Sequence, residues 1–120
     1  MIEVVAAMIL RDERILLCQR PVGKSNGTLW EFPGGKIEAG ETPETALRRE
    51  IREELNMDIR VGACLADTKR GDIHLTLYEA EITCGEPQLL EHSALAWVSR
   101  TEAEGYDLCP GDRVLLGSIQ

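Results

Sequence analysis

Residues 34–58 read GGKIEAGETPETALRREIREELNMD, a glycine-rich loop running into an acid-rich helix. Thr42 suits a helix cap and Pro43 a first helical position, where its missing N–H costs nothing. Asn56 tolerates the left-handed conformation that ends a helix. Leu47, Ile51 and Leu55 recur every four residues, so the spacing predicts a helix from Pro43 to about Leu55 with one apolar stripe. Glu50, Glu53 and Glu54 stand at i, i+3 and i+4 and share a neighbouring face. Like charges so placed cost roughly 0.2–0.5 kcal/mol per pair, and carboxylates near a helix C-terminus also oppose its dipole. Two readings stay open: Arg48, Arg49 and Arg52 pair with these glutamates on a solvated face, or a hard divalent cation gathers them. Gly34, Gly35 and Gly40 let the loop fold back over the helix, where Glu38, Glu41 or a backbone oxygen would add a ligand to one metal cluster.

The remaining composition narrows the function classes. A chain of 120 residues predicts one domain, spanning 1–120. Aromatics are only 4%, so the core must rest on Leu, Ile, Val and Ala. The formal charge of −8 argues against a nucleic-acid polymer as partner, because such binding needs cations against the phosphates. It leaves room for a single nucleotide arriving with Mg²⁺. Cys18, Cys64, Cys84 and Cys109 are scattered, with no CxxC pair, and are expected to be mostly buried thiols of a reducing cytoplasm. No basic leader and no membrane-length apolar run is visible, so a cytoplasmic protein without membrane partners is expected.

Strands are expected at Ile2 to Leu10, Ile15 to Gln19, Leu29 to Phe32, Ile59 to Lys69 (interrupted near Gly62), Ile73 to Thr83 and Leu95 to Val98. Arg11 to Arg14, Arg70 to Asp72 and Gly85 to Pro87 are turns, and 22–28 is a loop. Ser99 resembles the cap of a brief helix, and Pro110 to Ile119 a final one. The order predicts an α/β fold, with a mixed β-sheet between helices in three layers. The glycine-rich segment has neither GxGxxG spacing nor the ending of a P-loop.

Gly35, five residues, Glu41, seven residues, and then Arg49 to Met57 resemble the signature box of the Nudix hydrolases. Only Asn56 departs from it, standing where the family usually has glycine. Arg20 and the run Trp30 to Lys36 are similar to the MutT branch. Ala94 to Trp97 and Tyr106 to Asp112 resemble the cytidine triphosphate and methyl-deoxycytidine triphosphate pyrophosphohydrolases within it. The resemblance implies a Nudix-type α/β/α sandwich. It also implies hydrolysis of nucleoside triphosphates to monophosphate and pyrophosphate, with water attacking the β-phosphorus. Mg²⁺ would be the cofactor, with Mn²⁺ able to take its place. By the same resemblance Glu50, Glu53, Glu54, the Gly35 backbone oxygen and the late Glu91 are metal ligands. Glu53 or Glu54 would also orient water, Arg49 would hold a carboxylate in place, and Glu91 is a candidate base.

Around that centre several residues keep two roles each. Arg20 is a strand-end charge or a phosphate contact. Trp30 and Phe32 are core or rim aromatics, or one of them is a platform for a base. Lys36 is a further candidate for substrate binding. Asp112 starts the last helix or accepts from a base amino group. His74 and His92 are expected to be surface or local structural histidines. The expected function is clearance of modified or cytidine-type nucleotides by a monomer or homodimer. The alternatives are an 8-oxo-dGTP diphosphatase, a hydrolase of another nucleoside diphosphate-linked compound, and a non-catalytic nucleotide-binding module.

Overall fold

A computed structural model describes residues 1–119. The elements are β1 (Ile2–Arg11), β2 (Arg14–Gln19), β3 (Trp30–Glu31), β4 (Gly34–Lys36), α1 (Pro43–Leu55), β5 (Asp58–Arg70), β6 (Ile73–Cys84), β7 (Ala94–Val98), α2 (Arg100–Glu104) and α3 (Pro110–Ser118). The strands order β3-β2-β1-β6-β5, with β4 on β1 and β7 on β2. The β1–β6 pair is parallel and the other pairs are antiparallel, so the expected mixed sheet is present.

Both faces of this sheet are covered. Val5, Ala7 and Ile9 of β1 pack with Leu47, Ile51 and Leu55 of α1, and the alternate residues Ala6 and Met8 pack with Leu115 and Leu116 of α3. A strand buried on both sides needs apolar residues at every position, which is why β1 reads as a continuous run rather than an alternation. The α1 stripe is fully buried, and each leucine or isoleucine there contributes about 1.5–3 kcal/mol of apolar burial. Thr42 caps α1, bonding reciprocally with Thr45, and Asn56 ends it at φ 54° and ψ 44°. The helix bounds agree with those expected from spacing and caps.

One strand departs from expectation. Residues 34–36 form β4 instead of continuing a loop. β1 and β2 pair only beside their turn, at Leu10↔Ile15 and Arg11↔Arg14. Farther along, the chain from Trp30 to Lys36 occupies the gap, with β3 on β2 and β4 on β1. A Cβ on Gly34 would stand 2.0 Å from the Val5 carbonyl oxygen, so the pairing requires glycine. The cysteine expectation is half corrected. Cys18 and Cys109 are buried, whereas Cys64 and Cys84 are exposed. Cys64 lies among the register shifts of β5, an edge strand, and Cys84 ends β6. Among the described residues no helix is long and apolar enough to cross a membrane.

Candidate active site

The filled gap between β1 and β2 brings three distant parts of the chain together. Glu31 comes from β3, Glu54 from the last turn of α1 and His92 from the segment before β7. One ligand-type atom of each lies within 4.8 Å of the other two. His92 Nε2 stands 2.8 Å from Glu31 Oε2 and 3.7 Å from Glu54 Oε1. Glu54 Oε1 is buried and has no hydrogen-bond partner among the described residues. Burial pushes the Glu54 carboxyl far above the ordinary carboxylate range, and the neighbouring Glu50, Glu31 and Glu91 push it further. A buried acceptor among like charges is costly unless something positive joins it. The site therefore fits a divalent cation, and its carboxylate-rich donor set suits an ion that prefers oxygen.

Arg49 organises the acidic helix face without entering that cluster. Its guanidinium is bidentate to Glu41, at 2.7 and 2.9 Å. It also donates to Glu50 Oε1 at 2.9 Å, to Glu53 Oε1 at 3.1 Å and to the Lys36 carbonyl oxygen at 3.1 Å. The ionic hydrogen bonds from Arg49 hold the Glu41 carboxyl below its usual range. Glu41 thus fastens the glycine loop to α1 and is not itself presented for metal. The ion-paired reading holds for Arg49, and Arg52 turns aside to Asp58. Glu50 lies flat against Gly35, where an added Cβ would stand 2.4 Å from its carboxyl carbon.

Two adjoining clefts share Arg20, Glu31 and Gly34. The smaller, of about 200 Å³, is bordered by Glu50, Glu54, Glu91 and His92. The larger, of about 750 Å³, is bordered by Gly35, Lys36, Phe32 and Asp112, together with Leu75 and Arg70. Arg20 donates through Nε to the Ser25 carbonyl oxygen and through Nη1 to Glu31 at 3.1 Å. Asp112 is 7% exposed and accepts from the Phe32 backbone N–H at 2.9 Å. Burial raises its carboxyl to about 7, partly offset by that bond.

The expected site residues therefore fall into three groups. Glu50, Glu54, Glu91 and Arg20 meet in the smaller cleft, and Gly35, Lys36, Phe32 and Asp112 line the larger. Phe32 is 2% exposed and belongs to the core as much as to the wall. Glu53 is 54% exposed and is tied to the centre through Arg49. Trp30 borders neither cleft and packs edge-on to Tyr106, with ring centroids 5.0 Å apart. Glu31 had no assigned role in the sequence, and His92 was expected as a surface or local structural histidine. His92 is buried, not a surface residue, because the segment before β7 folds it under β3. The strand alternation that turns Trp30 and Phe32 one way, leaving Glu31 the other, was the one available signal for Glu31.

A carboxylate-lined cleft beside a Gly-Gly strand and an Arg-braced acidic helix defines a class. The chain belongs to the NUDIX domain family, whose model matches residues 1–116, and it is a Nudix hydrolase acting on phosphoanhydride bonds. Within that family it is 47% identical over 120 residues to the CTP pyrophosphohydrolase of Escherichia coli K12, covering 97% of this chain and 89% of that one. It is 39% identical over 115 residues to a putative 8-oxo-dGTP diphosphatase 2 of Mycobacterium tuberculosis, covering 92% and 82%. The crystal structure of a MutT NUDIX hydrolase from Burkholderia pseudomallei superposes with a TM-score of 0.85 at 29% identity, covering 99% and 98%.

Proposed function

We propose that this protein hydrolyses nucleoside triphosphates to the monophosphate and pyrophosphate, with Mg²⁺ as cofactor and Mn²⁺ able to replace it. The observation that carries this reading is the partnerless buried oxygen of Glu54 among Glu31, Glu50 and Glu91, beside Arg20. Glu50, Glu53, Glu54, Glu91 and the Gly35 backbone oxygen are the residues that would hold metal. When bound, the cation offsets phosphate charge and eases deprotonation of water.

The side chains divide the remaining work. Arg20 contacts the phosphates, as a guanidinium fork suits. Lys36 adds positive charge to the larger cleft. Arg49 keeps Glu50 and Glu53 oriented. Glu53 or Glu54 aligns the attacking water, and Glu91 is the candidate proton acceptor. The water oxygen ends on the β-phosphorus, and the bridging oxygen leaves with the monophosphate. A carboxylate with a free pKa near 4 is a weak base, so orientation must supply much of the effect.

Cytidine-type nucleotides are the favoured substrates. The high identity to a CTP pyrophosphohydrolase supports this, as does Asp112 on the wall of the larger cleft, where a carboxylate oxygen can accept from a cytosine amino group. The relative named for 8-oxo-dGTP supports an oxidised-guanine substrate as the second reading. One assay separates them: Mg²⁺-dependent turnover of normal, methylated, hydroxylated and oxidised triphosphates, ranked by kcat/KM. Cytidine-type nucleotides are expected first, and an oxidised guanine nucleotide at the head would reverse the order. Release of phosphate instead of pyrophosphate would refute the cleavage position. Asp112→Ala is expected to change the ranking among bases more than the affinity for metal. The catalytic unit is the 1–120 domain, acting as a monomer or homodimer.

A further inference from the structure

We infer that Glu31 and His92 are positioning residues that hold Arg20 in register with the metal-binding carboxylates. Both oxygens of Glu31 are engaged. Oε1 accepts from Arg20 Nη1 at 3.1 Å, and Oε2 faces His92 Nε2 at 2.8 Å. Facing a carboxylate oxygen, Nε2 is the donor, and the tautomer follows from that bond. Glu31 is therefore a bridge between the arginine and the histidine. The free carboxylate oxygen in the cluster is that of Glu54.

The relay has a fixed end and a working end. His92 is buried and anchored: its neighbour Ser93 donates its backbone N–H to the Gln19 carbonyl oxygen at 3.0 Å. The ring is held although its Nδ1 is buried without a partner among the described residues. A residue serving only to fill space would not carry that cost. At the other end Arg20 is joined to the loop through the Ser25 carbonyl oxygen and borders both clefts. Its Nη1 is aimed by Glu31, and a guanidinium fixed on one side presents its remaining donors in a defined plane. Glu31 itself is placed by strand pairing, opposite Cys18 in β2. Without the His92 bond, Glu31 is free to close on Arg20 and draw it from the phosphates.

This relay rests on the proposed phosphate contact of Arg20, and the test separates the two. A glutamine at position 92 can present a donor near Nε2, whereas an asparagine is too short. In Mg²⁺-dependent hydrolysis of CTP, His92→Gln is expected to stay within about 3-fold of wild type. His92→Asn should raise KM by about 10-fold with kcat little changed, and Arg20→Ala by about 30-fold, in the range of coupled polar contacts. The double variant Arg20→Ala/His92→Asn should match Arg20→Ala alone. If the two effects multiply, or if Asn and Gln at position 92 behave alike, the relay is overturned while the phosphate contact stands. If Arg20→Ala leaves KM unchanged, the phosphate contact fails and the relay with it. Should His92→Asn not fold, Glu31→Gln takes its place in the cycle under the same expectation.

Discussion

Replacing either of two adjacent glycines with alanine should produce opposite phenotypes. In Gly35→Ala the new methyl would stand 2.4 Å from the Glu50 carboxyl carbon and 2.5 and 2.6 Å from its oxygens. These atoms end a flexible side chain, so Glu50 can move aside by about 1 Å at a conformational cost of about 0.5–1.5 kcal/mol. A displacement of that size in a carboxylate proposed to hold metal is expected to reduce kcat/KM by about 100-fold. In Gly34→Ala the methyl would meet backbone: the Val5 carbonyl oxygen at 2.0 Å and the Ala6 Cα at 2.7 Å. β1 cannot yield, because it pairs with β6 from Ile2 to Ile9 on its other edge. The β1–β4 pairing must open, at an expected cost of about 3–5 kcal/mol. Urea denaturation followed by optical spectroscopy, with pyrophosphate release measured on the folded fraction, distinguishes the two. A Gly35→Ala protein with wild-type turnover, or a Gly34→Ala protein with wild-type stability, would refute the steric account.

Three further outcomes are expected. Added Mg²⁺ should raise the Tm of the wild type by mass action, about 2.7 kcal/mol at a hundred times Kd; Glu54→Gln should retain metal-free stability but lose most of the rise and most of the turnover, and an undiminished rise would remove Glu54 from the metal site. Asp112 has its folded value raised to about 7, so it holds a proton in the folded state that the unfolded chain has already lost, and its contribution to stability falls as pH climbs from about 4 to about 7. Asp112→Asn, which keeps an acceptor for the Phe32 N–H, should thus equal wild type near pH 4 and exceed it by about 1–3 kcal/mol near pH 8; a constant difference across that interval contradicts the buried charge. His74 has its value raised by Asp67 first and Glu3 second, so its contribution is complete below the unfolded value and lost as pH rises through the folded one. Wild type and His74→Ala should converge in Tm at alkaline pH, and parallel curves would exclude the ion pairs.

Much of the architecture was legible because its signals are local. Thr42, Pro43, the Leu47-Ile51-Leu55 stripe and Asn56 act within one helix, and each does what its chemistry predicts. The apolar run of β1 likewise announced a strand, while its burial on both faces emerges only from the packing of α1 and α3 against it. β4 was hidden because Gly-Gly-Lys carries no strand propensity; its pairing depends on the absence of side chains against Val5 and Ala6, a fact about a distant strand. The site was divided in the same way. The spacing of Glu50, Glu53 and Glu54 placed them together, but only tertiary contact reveals Glu54 as buried and Glu53 as open to solvent. Glu31 and His92 are separated by 61 positions and meet through strand pairing that no local pattern encodes.

Residues 30–36 are stitched to β2 at one end and to β1 at the other. That segment is therefore a seam: the same peptide closes the sheet and carries Glu31, Gly34 and Gly35 to the clefts. Heat or denaturant that parts it unmakes enzyme and architecture in one event. Inactivation and loss of the β-sheet signal should then trace a single curve, leaving no window in which the protein is intact yet inert.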